Sequence, residues 1–182
     1  MHNSINYHEY FSRRIQDGSK ILDVICEIGM LSLNIAKKLT KNLIIIFDIN
    51  ENNIFIANDL LENLNLSNFR YINGDINHQK YIKVYYVIIL NILEHIKNRT
   101  KFLKNIQEII NSKIFLIRVL KFEKYCQIAM RNELGIYYFS DVAYKLEHKV
   151  DQFKKDLNKT GFIKNKIIKV WGEIWANYKY GS

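Results

Sequence analysis

Proline is absent from this 182-residue chain, and cysteine occurs only twice. The two cysteines, Cys26 and Cys126, are too few for a disulfide scaffold and lack the close spacing of a metal-binding pair, which excludes the disulfide-rich secreted class. No apolar run reaches the roughly 18 residues that a membrane-spanning helix needs. Residues 1–4 also lack the basic and apolar layout of a signal peptide. We therefore expect a soluble cytoplasmic domain.

Acidic residues are few relative to basic ones. The chain has 27 Lys and Arg against 18 Asp and Glu, which gives a formal net charge of +9. Such an excess is typical of proteins that bind nucleic acid. However, 21 of these cations are lysine, and the chain also holds 30 isoleucines and 21 asparagines. All three residues have AT-rich codons, so codon bias accounts for the lysine excess, and nucleic-acid binding stays an alternative.

Several motifs of catalytic chemistry are missing as well. The chain has no phosphate-binding P-loop, no Gly-x-Ser-x-Gly elbow and no Cys–His nucleophile motif. The pair Glu147-His148 lacks the second histidine of a zinc helix motif, so we expect no metal site. The informative features are therefore the apolar pattern and the residues that follow each apolar run.

The apolar pattern alternates between strand-like and helix-like segments. Runs without polar alternation predict buried strands at 20–25, 43–47, 69–72, 84–90 and 114–120. Amphipathic segments predict helices at 5–16, 31–40, 54–64, 98–111, 121–133 and 147–160. A closing antiparallel hairpin is predicted at 162–170 and 173–180. This order predicts an α/β fold with a doubly wound, mostly parallel, seven-stranded sheet.

No linker or internal repeat interrupts this order, so a single domain is expected over residues 1–180. Its N-terminal helix lies within 1–18, and Gly181 and Ser182 are interpreted as a cloning remnant. Ligands in such sheets bind at the carboxyl ends of the strands. The residues at these ends are Asp23 to Gly29, Asp48, Gly74-Asp75 and Asn91 to Ile96.

These strand ends resemble the motifs of the class I S-adenosylmethionine-dependent methyltransferases, in particular the small-molecule branch that includes quinone-type O-methyltransferases. The family's first motif often reads LDVGCGTG, and residues 22–29 here read LDVICEIG. Asp48, Gly74-Asp75 and the segment Leu93 to Ile96 follow at the family's spacing. The resemblance covers nearly the whole chain and implies a Rossmann-like fold with S-adenosyl-L-methionine (SAM) as cofactor.

The resemblance also implies a role for each strand end. The loop from Ile25 to Gly29 would pass beneath the methionine part of SAM. Asp48 would accept hydrogen bonds from both ribose hydroxyls, which suits a carboxylate because it is an acceptor only. Asp75 would hold the adenine amino group. The full set of implied cofactor-binding residues is Asp23, Ile25, Glu27, Gly29, Asp48, Ile49, Gly74, Asp75, Ile76, Asn91 and Leu93, with Ile49 and Ile76 beside the adenine ring and Asn91 and Leu93 beside the methyl group.

The chain departs from the family pattern at two loop positions. Ile25 and Glu27 replace glycines, which elsewhere allow unusual backbone angles and a close approach of ligand. Glu27 also places a carboxylate where that of SAM would lie, which is unfavourable. Tyr86 stands where the family often has Asp. A degenerate methyltransferase-like binding protein is therefore the first alternative function.

Two neighbouring residues are candidates for catalysis. His95 would act as a general base and Glu94 lies beside it, although both also fit structural roles near a helix start. Segment 121–148 corresponds to the acceptor lid of relatives. The candidate substrate-binding residues are Arg118, Tyr138, Asp141, Tyr144 and His148.

The sequence thus predicts a SAM-dependent methyltransferase that transfers a methyl group to an oxygen or nitrogen atom of a small metabolite. The degenerate binding protein is one alternative, and an RNA methyltransferase or RNA-binding protein, suggested by the net charge, is the other.

Overall fold

The computed structural model describes residues 7–24, 30–64, 66–79, 82–120, 150–170 and 173–180. In chain order its elements are α1 (Tyr7–Ser12), β1 (Lys20–Val24), α2 (Met30–Lys38), β2 (Leu43–Asp48), α3 (Glu51–Glu62), β3 (Phe69–Asn73), a 3₁₀ helix (Ile76–His78), β4 (Ile82–Lys83), β5 (Tyr86–Leu90), α4 (Arg99–Ile109), β6 (Ile110–Asn111), β7 (Ile114–Leu120), α5 (Val150–Asn158), β8 (Phe162–Val170) and β9 (Glu173–Tyr180). No helix in these ranges is long and apolar enough to cross a membrane.

Seven of these strands form one sheet in the order β3-β2-β1-β5-β7-β9-β8, and β4 pairs with β6 in a small second sheet. The predicted α/β class with a mostly parallel seven-stranded sheet and a C-terminal antiparallel hairpin is confirmed. The chain divides into two compact units. The first contains residues 1–88 and 108–113, and the second contains residues 89–107 and 114–182.

The first unit is built on parallel strands. β1 lies between β2 and the start of β5, and β2 pairs with β3. Ile21 in the centre of this sheet lies opposite Ile44 of β2 and Tyr86 of β5. The apolar side chains of the central strands β1 and β5 are buried on both faces, whereas β3 at the edge of the sheet is partly exposed. The largest fully buried side chains in this unit are Phe11, Phe47, Ile21, Leu22, Ile35, Ile44, Ile46 and Ile88.

The second unit is built on antiparallel strands. β9 pairs with β7 along one edge and with β8 along the other. Aromatic rings fill its core: Phe162 meets Phe115 edge-to-face at 4.7 Å and Tyr178 at 6.1 Å between ring centroids. Burial raises the pKa of Tyr178 to about 12. The helix α5 ends at Asn158, shortly before Gly161, whose φ of +80° is typical of a glycine that follows a helix C-terminus.

Several element bounds differ from the sequence prediction. The helix α1 ends at Ser12 because Arg14 N donates to Phe11 O and tightens the last turn into a 3₁₀ bond. The fourth predicted strand begins at Tyr86 and not at Val84, since Val84 N donates to Asn111 O beside the small β4–β6 pair. That pair and the 3₁₀ helix were not predicted, because elements this short carry no periodic signal. The predicted helix at 121–133 lies outside the described residues.

Candidate functional site

Asp23 lies in β1 close to the carboxyl end of the strand and is only 2% exposed. Ser32 of α2 donates a hydrogen bond of 2.5 Å to its Oδ2 atom. Burial raises the pKa of Asp23 to about 7, while the Ser32 bond opposes this rise and the negative charge of Asp48 adds to it. The Oδ1 atom is buried and has no hydrogen-bond partner in the described part of the chain. Asp23 therefore carries a carboxyl group whose charge is poorly solvated near neutral pH.

Asp48 is the last residue of β2 and is also 2% exposed. Asn50 N donates to its Oδ1 atom at 2.8 Å, and Asn53 Nδ2 of α3 donates to its Oδ2 atom at 3.2 Å. Each carboxylate oxygen can accept more than one hydrogen bond, so both retain an accepting position. Next to this carboxylate, the side chain of Ile49 is 66% exposed. The end of β2 thus offers two acceptors and an exposed apolar surface.

Gly74 joins the ends of β2 and β3. Its N–H donates to Asp48 O at 3.0 Å, and its φ of +152° is one that L side chains rarely adopt. An added Cβ would meet Gln79 Nε2 at 3.3 Å. The backbone turn after β3 therefore requires glycine, and it sets the position of the next residue, Asp75.

Asp75 and Ile76 follow this turn in different environments. The carboxylate of Asp75 is partly exposed, and His78 Nδ1 lies 3.8 Å from its Oδ2 atom. Ile76 begins the 3₁₀ helix and is buried. Of the two isoleucines assigned to the adenine ring, Ile49 is thus the exposed one. The first unit brings together Asp23, Asp48 and Gly74, because the ends of adjacent parallel strands meet at one edge.

The second unit carries the segment after β5. Asn91 has a φ of +50°, an uncommon backbone conformation that asparagine tolerates better than most residues, and its N–H donates to Arg118 O at 3.1 Å. Its Oδ1 atom is buried with no hydrogen-bond partner among the residues that the structure describes. Leu93 is buried, and its carbonyl accepts a bond of 2.9 Å from Arg99 Nε.

Glu94 and His95, the candidate catalytic residues, lie in a turn before α4. Glu94 is fully buried, whereas His95 is exposed. His95 N donates to Ile92 O at 2.9 Å, which closes the turn. Solvent therefore reaches the imidazole of His95 but not the carboxyl group of Glu94.

Arg118 of β7 forms a two-point ion pair with Glu173 of β9. Its Nε donates to Glu173 Oε2 at 2.8 Å, and its Nη2 donates to Oε1. Trp175 Nε1 donates to the same Oε2 atom at 2.6 Å. Glu173 already accepts two hydrogen bonds from the guanidinium of Arg118, and a substrate would have to bind the same group. The substrate role of Arg118 stays a prediction.

Some candidate residues lie outside the described part of the chain, and other residues were missed. The former are Ile25, Glu27, Gly29, Tyr138, Asp141, Tyr144 and His148. Sequence reasoning did not identify Ser32, Asn53 or Glu173, which hold candidate residues in place. The Asp-x-Asn pattern after β2 was a usable signal for the Asn50 bond, since such residues form local turns. The described residues contain no group of three or more His, Cys, Asp or Glu side chains placed to hold a metal ion.

Comparison with known families gives one match that spans most of the chain. Residues 15–175 match the family described as a methyltransferase domain. No curated protein sequence matches this chain.

Solved structures share the fold at low sequence identity. A SAM-dependent methyltransferase from Aquifex aeolicus is 14% identical with a TM-score of 0.75, and the match covers 96% of this chain and 89% of that one. Magnesium protoporphyrin IX methyltransferase from Synechocystis PCC 6803, solved with bound SAH, is 17% identical with a TM-score of 0.74, over 96% and 80% of the two chains. The small RNA methyltransferase HEN1 is 18% identical with a TM-score of 0.79, over 98% of this chain and 25% of that one.

Proposed function

The chain belongs to the methyltransferase-domain family, and we propose that it transfers a methyl group from SAM to an oxygen or nitrogen atom of a small molecule. The family match and the shared fold with SAH-bound methyltransferases support SAM as the cofactor. The observation that carries the proposal is the buried Asp48 carboxylate at the end of β2, which has an accepting position on each oxygen.

The residues at this edge fit the chemistry of SAM. The ribose of SAM has two neighbouring hydroxyl donors, and Asp48 offers two acceptors. The exposed side chain of Ile49 offers an apolar surface for the adenine ring. Asp75, which is partly exposed, would accept a bond from the adenine amino group. These three residues would bind the nucleoside part of the cofactor.

The bound cofactor supplies a methyl group on a positively charged sulfur. Transfer from such a centre depends mainly on holding donor and acceptor in line, so the chain's task is positioning. Asn91 and Leu93, after β5, would border the methyl group. Asp23, with its poorly solvated carboxyl group, would be favoured in its charged form beside a cationic ligand.

For an acceptor with a hydroxyl group, a nearby base removes the proton. His95 is suited to this role because an imidazole nitrogen can accept a proton and the side chain is exposed. Glu94, which is buried, would stabilise the turn that carries His95. Segment 121–148 would supply the acceptor-binding residues.

The activity is tested by incubating the protein with SAM and a panel of small phenols, alcohols and amines, and measuring S-adenosylhomocysteine release. Release with any member above that of the protein alone supports the proposal. The control variant Asp59→Ala changes an exposed acid of α3 and is expected to keep this activity. If no panel member yields product while the protein still binds SAM, the small-molecule assignment fails.

The competing function is binding without catalysis. The observation that favours it is the replacement of two loop glycines by Ile25 and Glu27. The double variant Ile25→Gly/Glu27→Gly separates the two functions. If the unaltered chain binds SAM in the micromolar range, the loop is an adaptation. If binding requires both glycines, the competing function is favoured.

A further inference from the structure

A pocket lies in the first unit, away from the strand ends described above. It has a volume of about 820 Å³ and is lined by segments 16–20 and 83–85 with Asn111 and Lys113. Pockets of roughly 300–1,000 Å³ are typical of small-molecule sites. We call it the amino-end pocket, because Lys20 is the first residue of β1 and Tyr85 directly precedes β5.

The amino-end pocket is separate from the candidate cofactor site. Lys20 begins β1, and Asp23 lies near the opposite end of this strand. At about 3.3 Å per residue, the five residues of β1 place the two ends roughly 13 Å apart. A ligand in this pocket is therefore neither the cofactor nor the methyl acceptor, and the site does not depend on the proposed methyl transfer.

Hydrogen bonds from surrounding elements hold the walls of this pocket. Asn42 Nδ2 donates to Gln16 O at 2.8 Å, and Gln16 N donates to the Tyr86 hydroxyl at 3.0 Å. A third bond joins the two lining segments, 16–20 and 83–85, because Tyr85 N donates to Lys20 O at 3.0 Å. Both walls are thus anchored to the sheet, so the pocket is built before any ligand arrives.

The lining carries an excess of positive charge. Lys20, Lys83 and Lys113 all line the pocket and are exposed, and Asp17 is the one acid in the lining. None of these lysines forms an ion pair with another residue that the structure describes. Codon bias explains how many lysines the chain has, but not why three without acidic partners share one pocket. Lysine is a common phosphate-binding residue because its ammonium group is a compact charge with three donors.

An aromatic ring completes the lining. The side chain of Tyr85 is 39% exposed, and its ring lies 4.9 Å from that of Tyr86 between centroids. The Tyr86 hydroxyl is itself held by Gln16. Exposed aromatic rings beside basic groups are the usual platform for nucleobases, which stack on them without regard to base identity.

We propose that the amino-end pocket binds a nucleotide, with the three lysines contacting phosphate and the Tyr85 ring contacting the base. The nucleotide comes either from a free nucleoside diphosphate or from a single-stranded RNA. Both present the same phosphate and base chemistry, so the test includes both sources.

The test titrates the full chain with UDP, with a ten-nucleotide oligouridine and with inorganic pyrophosphate. Uridine ligands lack the adenine ring for which Asp75 and Ile49 are proposed to form a site. The pocket variant is Lys20→Gln/Lys83→Gln/Lys113→Gln. The charge-matched control is Lys101→Gln/Lys104→Gln/Lys155→Gln, three exposed lysines outside the pocket. Circular dichroism melting of both variants confirms that they fold.

We expect UDP or oligouridine to bind, the pocket variant to weaken binding at least tenfold, and the control to change it less than twofold. Tyr85→Leu should weaken both uridine ligands but not pyrophosphate. If RNA is the source, the slope of the logarithm of its affinity against the logarithm of the salt concentration should be shallower by about 2 in the pocket variant. UDP binding without RNA binding identifies the free nucleotide. Equal losses in pocket and control variants, pyrophosphate binding as tightly as UDP, or no binding of either uridine ligand would overturn the proposal.

Discussion

The N–H of Gly74 donates to the carbonyl oxygen of Asp48 at 3.0 Å, and this bond joins the ends of β2 and β3. One strand end supplies the carboxylate assigned to the ribose and the other leads into Asp75, assigned to the adenine amino group. Because the two ends are tied through the backbone, a change at either one should alter nucleoside binding.

Gly74→Ala tests this connection. The φ of +152° and the 3.3 Å approach of Gln79 Nε2 leave no unstrained position for a Cβ, so we expect a loss of about 1–3 kcal/mol in the free energy of unfolding. SAM binding should weaken as well. Gly18→Ala is the matched control, since Gly18 also has a positive φ of +75° but open space around it. Urea unfolding and calorimetry should show a smaller loss for Gly18→Ala and unchanged SAM affinity; equal effects of both substitutions contradict the connection.

Asn53 holds the Asp48 carboxylate through a bond of 3.2 Å to Oδ2. Asn53→Ala should leave this oxygen free to rotate away and weaken SAM binding about fivefold, the value of one hydrogen bond of about 1 kcal/mol. Asn52→Ala removes an exposed neighbouring amide and should change affinity little. Calorimetric titration of both variants checks this, and an unchanged affinity of Asn53→Ala would show that Asp48 needs no such support.

Asp23 should make the folding stability depend on pH. Its pKa is about 7 in the folded chain against 3.8 for an unperturbed carboxyl group. Between these values the folded chain keeps a proton that the unfolded chain has released, so rising pH favours unfolding. Relative to a carboxyl group with an unshifted pKa, Asp23 lowers the free energy of unfolding by up to about 4 kcal/mol, and this full loss is reached above pH 7. Asp23→Asn removes this dependence, whereas the exposed Asp59→Asn does not.

Urea unfolding of the Asp23→Asn variant and of the original chain at pH 4, 6 and 8 measures the effect. The variant should gain stability relative to the original chain as pH rises. A difference that is constant over this range would show that Asp23 titrates normally in the folded chain.

The Arg118–Glu173 pair should stabilise the second unit. Both side chains are largely buried, at 12% and 20% exposure, so Glu173→Gln leaves the guanidinium without its counter-charge. We expect a loss of about 3 kcal/mol in the free energy of unfolding, because one partner of a largely buried ion pair is removed. Trp175 donates to the same carboxylate, so its fluorescence emission should shift in the folded variant. Lys154→Gln, at an exposed ion pair with Asp151, should change stability by less than about 1 kcal/mol.

The central strands of the sheet were predictable because their apolar side chains form uninterrupted buried runs. The predicted bounds of β7, β8 and β9 agree with the structure. The small β4–β6 pair was not predictable, because it depends on a contact between segments 27 residues apart along the chain, such as Ser112 Oγ with Tyr85 O. Local periodicity carries no information about such pairing.

The site was predictable only in its strand ends. Asp48 and Asp75 follow apolar runs, and the rule that ligands bind at carboxyl ends identifies them. Ser32 and Glu173 were missed because each reaches its partner through the fold: Ser32 lies nine residues from Asp23, and Glu173 lies 55 residues from Arg118. The pKa of Asp23 was likewise beyond the sequence, because burial is its main cause.

A calorimetric titration of SAM and S-adenosylhomocysteine into the original chain, Asp48→Ala and Asp59→Ala tests most directly whether the chain binds SAM through Asp48. Hydrogen bonds to a charged group contribute about 1.5–3 kcal/mol each, so losing both ribose contacts of Asp48 should weaken binding by at least about 100-fold. We expect micromolar binding to the original chain and to Asp59→Ala, and this loss in Asp48→Ala. Absence of binding at millimolar ligand, or equal binding by all three proteins, would contradict it.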